Sequence, residues 1–138
     1  MTQTQTAARY AMTRTTSLPV EEADRRIREA LQGEGFGVLT EIDVRATLKK
    51  KLGVEIAPYF ILGACNPALA LQAISAEPDV GLLLPCNVVV RELPEGETLI
   101  EALDPVIQLE IATNDRLRAL SVQVRDRLLR ALDKATRD

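Results

Sequence analysis

The chain has 138 residues, is 46% hydrophobic and 27% charged, and carries a net charge of −3, which suits one folded domain spanning 1–138 and excludes a disordered or polybasic chain. It holds no histidine and only two cysteines, so a Ser-His-Asp or Cys-His catalytic set, a His-ligated metal and a disulfide scaffold are all excluded. No apolar run reaches the ~18 residues of a bilayer span, and residues 1–16 lack the apolar stretch of a signal peptide, so we expect a soluble cytoplasmic protein with no membrane partner.

Residues 8–16 read as a strand in which Tyr10 and Met12 can share one face. "SLPVEEADRRIREALQGEGF" opens a helix with Ser17 as the expected N-cap and Pro19 in the first turn. Glu21 and Glu22 suit the positive end of its dipole. Val20, Ala23, Ile27, Ala30 and Leu31 recur at helical spacing, and Gly33 and Gly35 stop the helix.

"FGVLTEI" predicts a second strand, and "DVRATLKKKLG" a short helix capped by Asp43 and ended by Gly53. "APYFILGAC" is apolar enough for an interior strand. "NPALALQAISAEP" has the start signals of a helix: Asn66 caps, Pro67 takes the first helical position, and Pro78 lies beyond the end. "VGLLLPCNVVVREL" is strand-like but broken by Pro85, which predicts an edge strand, a bulge or a strand starting at Cys86.

"PEGE" makes a turn and "TLIEAL" pairs back as a hairpin partner. Asp104-Pro105 starts a short helix. The last helix, about 114–135, carries the stripe Leu117, Leu120, Val124, Leu128, Ala131 and Ala135. This order predicts an α+β fold: a two-layer α/β sandwich with one mixed or antiparallel sheet, helices packed on it, and a core at about 8–110.

Both cysteines precede an asparagine, end an apolar run and adjoin a proline. Cys65 stands at a strand-to-helix junction, where free N–H groups and the positive dipole end favour thiolate over thiol. If the break at Pro85 lies near that junction, Cys65, Asn66, Cys86 and Asn87 form one ligand-binding pocket of polar groups in apolar surroundings. The competing explanation is that the thiols are buried packing residues and Asn66 only a cap.

The segments "EGFGVLTEIDVRATLKKKLG", "PYFILGACNPALALQAI" and "EPDVGLLLPCNVVVRE" resemble, in that order, the prokaryotic family known as domain of unknown function 302, over about residues 8–110. The resemblance implies a two-layer α/β fold and a homodimer, with no established activity. The family motif falls on Gly63, Cys65, Asn66 and Pro67, and on Leu84, Pro85, Cys86 and Asn87.

Other constellations have plainer explanations. Glu41, Asp43 and Asp104 are a weaker candidate ligand-binding carboxylate set, against which stands capping by the two aspartates. Arg45, Lys49, Lys50 and Lys51 read as a solvated helix face. Asp126 and Asp133 precede Arg130 and Arg137 by four residues, a self-paired helix surface and not a nucleic-acid stripe. Two cysteines are half of a structural zinc site, and "GEGFG" lacks the spacing and lysine of a phosphate loop, so we expect neither metal nor cofactor.

The sequence therefore predicts a small-ligand binding domain built on the two Cys-Asn pairs. One alternative is a thiol-based redox or sulfur-handling protein with Cys65 as nucleophile and Cys86 as resolving partner. The other is a structural dimerisation domain with inert thiols. Enzymatic activity stays open, and the balance favours binding.

Overall fold

The computed structural model describes residues 8–137; residues 1–7, part of the stretch read above for a signal peptide, and residue 138 lie outside them. Five strands form one sheet: β1 (Ala11–Thr16), β2 (Gly37–Asp43), β3 (Tyr59–Cys65), β4 (Cys86–Glu92) and β5 (Thr98–Leu103). Their spatial order is β1-β5-β4-β3-β2. Every neighbouring pair is antiparallel, which decides between the two sheet types expected. The helices are α1 (Val20–Gly33), α2 (Val44–Leu52), α3 (Pro67–Ala76), α4 (Pro105–Glu110) and α5 (Asp115–Thr136). The fold is α+β and two-layered, with helices packed on an open sheet.

Register explains which face is covered. Met12, Ala102, Val88 and Leu62 are cross-strand partners in one row, and all four are buried. The next position along each strand gives a row of Thr13, Glu101, Val89, Ile61 and Ile42 on the other face. Strand side chains alternate between faces, so a helix layer on one side leaves the second row uncovered. α1 buries Val20, Ala23, Ile27, Ala30 and Leu31, and α5 buries the stripe from Leu117 to Ala135, together with Ser121 and Leu132. α1 and α5 pack on each other above the sheet.

Caps set most helix starts. Asp43 accepts from the Ala46 N–H at 2.9 Å, Asp104 from Val106 at 2.9 Å, and Asn114 from Arg116 and Leu117. Gly53 ends α2 with a left-handed φ of 69°, which glycine adopts without a β-carbon penalty.

Two local expectations change, and of the three outcomes that Pro85 allowed, the strand starting at Cys86 is the one found. Ser17 is not the cap of α1: Pro19 occupies that position in an extended conformation, without a side-chain cap bond. Thr16 Oγ1 accepts from Leu18 N–H instead. The apolar run before Pro85 is not a strand; Pro78–Leu83 forms a 3-10 helix that buries Val80, and β4 starts at Cys86. β4 is central, not an edge, because the proline that cannot donate to a ladder lies just outside it.

Along α5 itself Arg118 pairs with Asp115, but Asp133, Arg130 and Lys134 further along pair with other elements. Asp133 meets Arg14 of β1 at 2.8 Å. Arg130 and Lys134 both reach Glu34, at the end of α1, at 3.0 and 3.1 Å. Packing against α1 and β1 brings these partners closer than the i,i+4 geometry does.

Candidate functional site

Antiparallel pairing brings the end of β3 to the start of β4. Ala64 is the partner of Cys86, so Cys65 follows directly the residue facing Cys86. At the same place Asn66 caps α3, its Oδ1 accepting from Leu69 N–H at 3.2 Å, and Pro67 is the first helical residue. A missing N–H costs nothing there, since the first-turn donors lack helical partners anyway.

A cavity of about 290 Å³ opens at this junction, between the sheet end and α3, α4 and α5. Cys65, Asn66 and Cys86 all line it. Its apolar walls include Leu69, Ala73, Leu109, Leu120 and Val124. Leu39 and Ile74 also line it yet are 70% and 46% exposed, so they form its rim. Leu39 owes that position to a register shift between Val38 and Thr40 of β2. Such a bulge adds a residue and re-aims its side chain.

No Asp, Glu, Lys or Arg lines the cavity. Burial pushes the Cys86 thiol up to about 11, with a smaller contribution from nearby Cys65, so Cys86 is a neutral thiol at physiological pH. Both cysteines are free.

Gln108 of α4 is the functional candidate that sequence reasoning missed. It lines the cavity at 7% exposure. Its Nε2 donates to the carbonyl of Leu83, and to that of Pro85 at 3.4 Å. Its Oε1 is buried with no hydrogen-bond partner. The signal was its place in the stripe: α4 buries Pro105, Gln108 and Leu109, the i, i+3 and i+4 positions of one face. A glutamine in that stripe needs partners that an apolar residue would not.

The family model described as "Domain of unknown function DUF302" matches residues 12–135. The chain belongs to the DUF302 family. It is similar to the crystal structure of an uncharacterized conserved DUF302 protein from Bacillus stearothermophilus, with a TM-score of 0.86 and 31% identity over 93% of this chain and 99% of that one. A comparison with curated proteins finds no match. The cavity and both Cys-Asn pairs of this DUF302 chain lie inside the matched span.

The second Cys-Asn pair is split by strand alternation. Asn87 is exposed and faces a wide groove on the uncovered face of the sheet, apart from the cavity. That groove, about 840 Å³, is the larger concavity, but it is an open face, and its central charges Arg91 and Glu101 pair with each other at 3.5 Å. The smaller cavity is therefore the better candidate for a bound molecule.

The carboxylates do not assemble. Glu41 is held by Arg28 at 2.6 Å, Asp43 caps α2, and Asp104 caps α4 and approaches Arg125 at 3.4 Å. Asp43 lies in the row of Phe60 and Val90, whereas Asp104 follows β5 past the Ala102–Val88 pair, so the two stand at opposite ends of the sheet. Among the described residues no group of three or more Cys, Asp or Glu could hold a metal ion. Lys49 and Arg45 pair with Glu55 on the exposed face of α2. Among the described residues no helix is long and apolar enough to cross a membrane.

Proposed function

We propose that this DUF302 domain binds a small molecule in the cavity at the Cys65–Asn66 junction. The observation that supports this most is the cavity itself: about 290 Å³, apolar-walled and rimmed by exposed Leu39 and Ile74. A volume near 300 Å³ is at the lower end of known ligand pockets, which are mostly apolar with a few placed polar groups. Cys65, Asn66, Cys86 and Gln108 are those groups here. Asn87 is not part of this reading.

A redox role fits less well. A resolving thiol leaves and attacks as thiolate, and a thiol pushed up to about 11 supplies little of it near neutral pH.

The test is a screen of small neutral compounds, read by thermal shift and by labelling of Cys86 in a Cys65→Ser variant. Binding raises the melting temperature and slows labelling. Ala73→Leu, which fills the cavity from its buried wall, is expected to abolish both effects. If no compound shifts stability or labelling, the cavity is only a packing defect.

A further inference from the structure

We propose that a second copy of this chain docks on the end of the sheet that carries α2 and the β4–β5 turn, the basic helix of each protomer lying against the acidic turn of the other.

The first observation is a helix without a core. None of the 9 residues of α2 is buried, whereas α1, α3, α4 and α5 each bury a face of their own. A helix that short is marginal in water, and most helices are held by packing an apolar stripe. α2 has such a stripe: Val44, Leu48 and Leu52 follow one another at four-residue spacing on one side. Val44 and Leu48 are only half-buried, and Leu52 is 69% exposed. Ile42, just before the Asp43 cap, and Val54, just after Gly53, are exposed as well. An apolar surface is thus left for something outside the chain to cover.

The second observation is the charge beside it. Asp43 of β2 pairs with Phe60 of β3, Tyr59 with Arg91 of β4, and Glu92 with Thr98 of β5. The start of α2 and the β4–β5 turn are therefore at one end of the sheet. The turn is closed by Leu93 N–H donating to the Glu97 carbonyl at 2.7 Å, and it presents exposed Glu92, Glu95 and Glu97. On α2, Glu55 engages Arg45 and Lys49, but Lys50 and Lys51 are exposed. Among the described residues, those two lysines and the three glutamates have no ion-pair partner. β3 stands between β2 and β4, so the two sets do not meet within the chain.

The third is symmetry. A foreign partner of one charge would suit the helix or the turn and be repelled by the other. A second copy carries both. Turned about a two-fold axis, it sets its turn against α2 and its α2 against the turn, so the contact is made twice and the assembly closes at two. Two-fold contacts of this kind are the commonest among homo-oligomers. The stripe from Val44 to Leu52 then supplies the apolar centre, and the lysines and glutamates the charged rim.

Sedimentation equilibrium of the full chain tests this, together with hydrogen exchange of the α2 amides. A dimer is expected at about 10–100 µM, weakening as salt screens the rim. The α2 amides should exchange more slowly as protein concentration rises. Lys50→Glu with Lys51→Glu should raise Kd at least about ten-fold, and so should Glu95→Lys with Glu97→Lys. All four changes together should recover most of the loss, which damage to the helix alone would not allow. Leu52→Asp should leave a folded monomer. A monomer at every concentration overturns the proposal, and so does a dimer indifferent to both charge reversals. Two reversals that each weaken the dimer but do not rescue each other overturn the pairing of helix with turn. Should a variant fail to fold, the concentration dependence of α2 exchange in the wild type decides: protection that does not change with concentration overturns the proposal.

Discussion

Gly35 has its α-carbon against the side chain of Asn66: a β-carbon there would stand 2.9 Å from Nδ2 of Asn66 and 3.3 Å from a guanidinium nitrogen of Arg127. The backbone at Gly35 also takes a φ of +89°, which L side chains rarely adopt. The turn after α1 is thus fitted to the residue that caps α3, and α5 closes over both: Arg127 donates to the Glu34 carbonyl at 3.1 Å.

Gly35→Ala should therefore destabilise the protein by about 1–3 kcal/mol, the cost of a strained backbone conformation made worse by crowding. Urea unfolding measures it. A variant as stable as wild type would mean that the turn relaxes freely and does not position Asn66.

Asn66→Ala removes the acceptor for Leu69 N–H and should cost about 1 kcal/mol, the usual loss for a helix cap. Asn66→Asp keeps the acceptor and adds a charge at the helix N-terminus, but in a buried position. It should restore the cap while weakening the binding of neutral probes. Loss of probe binding in the alanine variant with no loss of stability would show that the residue serves the ligand and not the helix.

Gly63 of β3 faces Thr40 and Pro85: its missing β-carbon would overlap Thr40 Oγ1 and stand 2.9 Å from Pro85 Cγ. Gly63→Ala should cost about 1–3 kcal/mol by overpacking. Adding Thr40→Ala removes one of the two clashes, so the double variant should recover part of the loss. No recovery on thermal unfolding would put the whole conflict at Pro85.

Much of this fold was legible because its signals are local. Asp43, Asn66 and Asp104 cap helices in a way that a short window of sequence announces, and the buried stripes of α1 and α5 follow helical spacing. The site was legible only in part. Cys65 and Cys86 lie 21 positions apart in the chain, yet both reach the cavity because β3 and β4 pair antiparallel with Ala64 facing Cys86. Asn87 was misplaced by reading Cys-Asn as a unit, when alternation along a strand turns neighbours to opposite faces. Gln108 had a local signal only in its place on the buried stripe of α4; its partners, the carbonyls of Leu83 and Pro85, come from a segment more than twenty residues earlier. The partners of Asp133 and Glu34 were hidden for the same reason: helix packing, and not spacing along the helix, chooses them.

The last prediction concerns Cys86 and pH. Burial raises its pKa from the ordinary 9.0 to about 11, aided by nearby Cys65. In the unfolded chain the thiol loses its proton near 9.0; in the folded protein it keeps the proton until about 11. Between those values the native state binds more protons than the unfolded state, so stability falls as pH rises. Below pH 9.0 both states are protonated and the contribution of the thiol is fully present. The slope for one such group cannot exceed about 1.4 kcal/mol per pH unit. Lysines and tyrosines also titrate in this range, so the measurement is a difference: urea unfolding of wild type against Cys86→Ala at intervals from pH 7.5 to 10.5. The stability advantage of wild type should be constant to about pH 8.5 and then shrink steadily. Labelling of Cys86 in the Cys65→Ser variant should likewise stay slow until well above the range of free cysteine. A difference that stays flat across the whole series would mean that Cys86 ionises as easily folded as unfolded. The cavity would then be wetter and more polar than its lining implies, and both the case against a resolving thiol and the case for a neutral ligand would lose their footing.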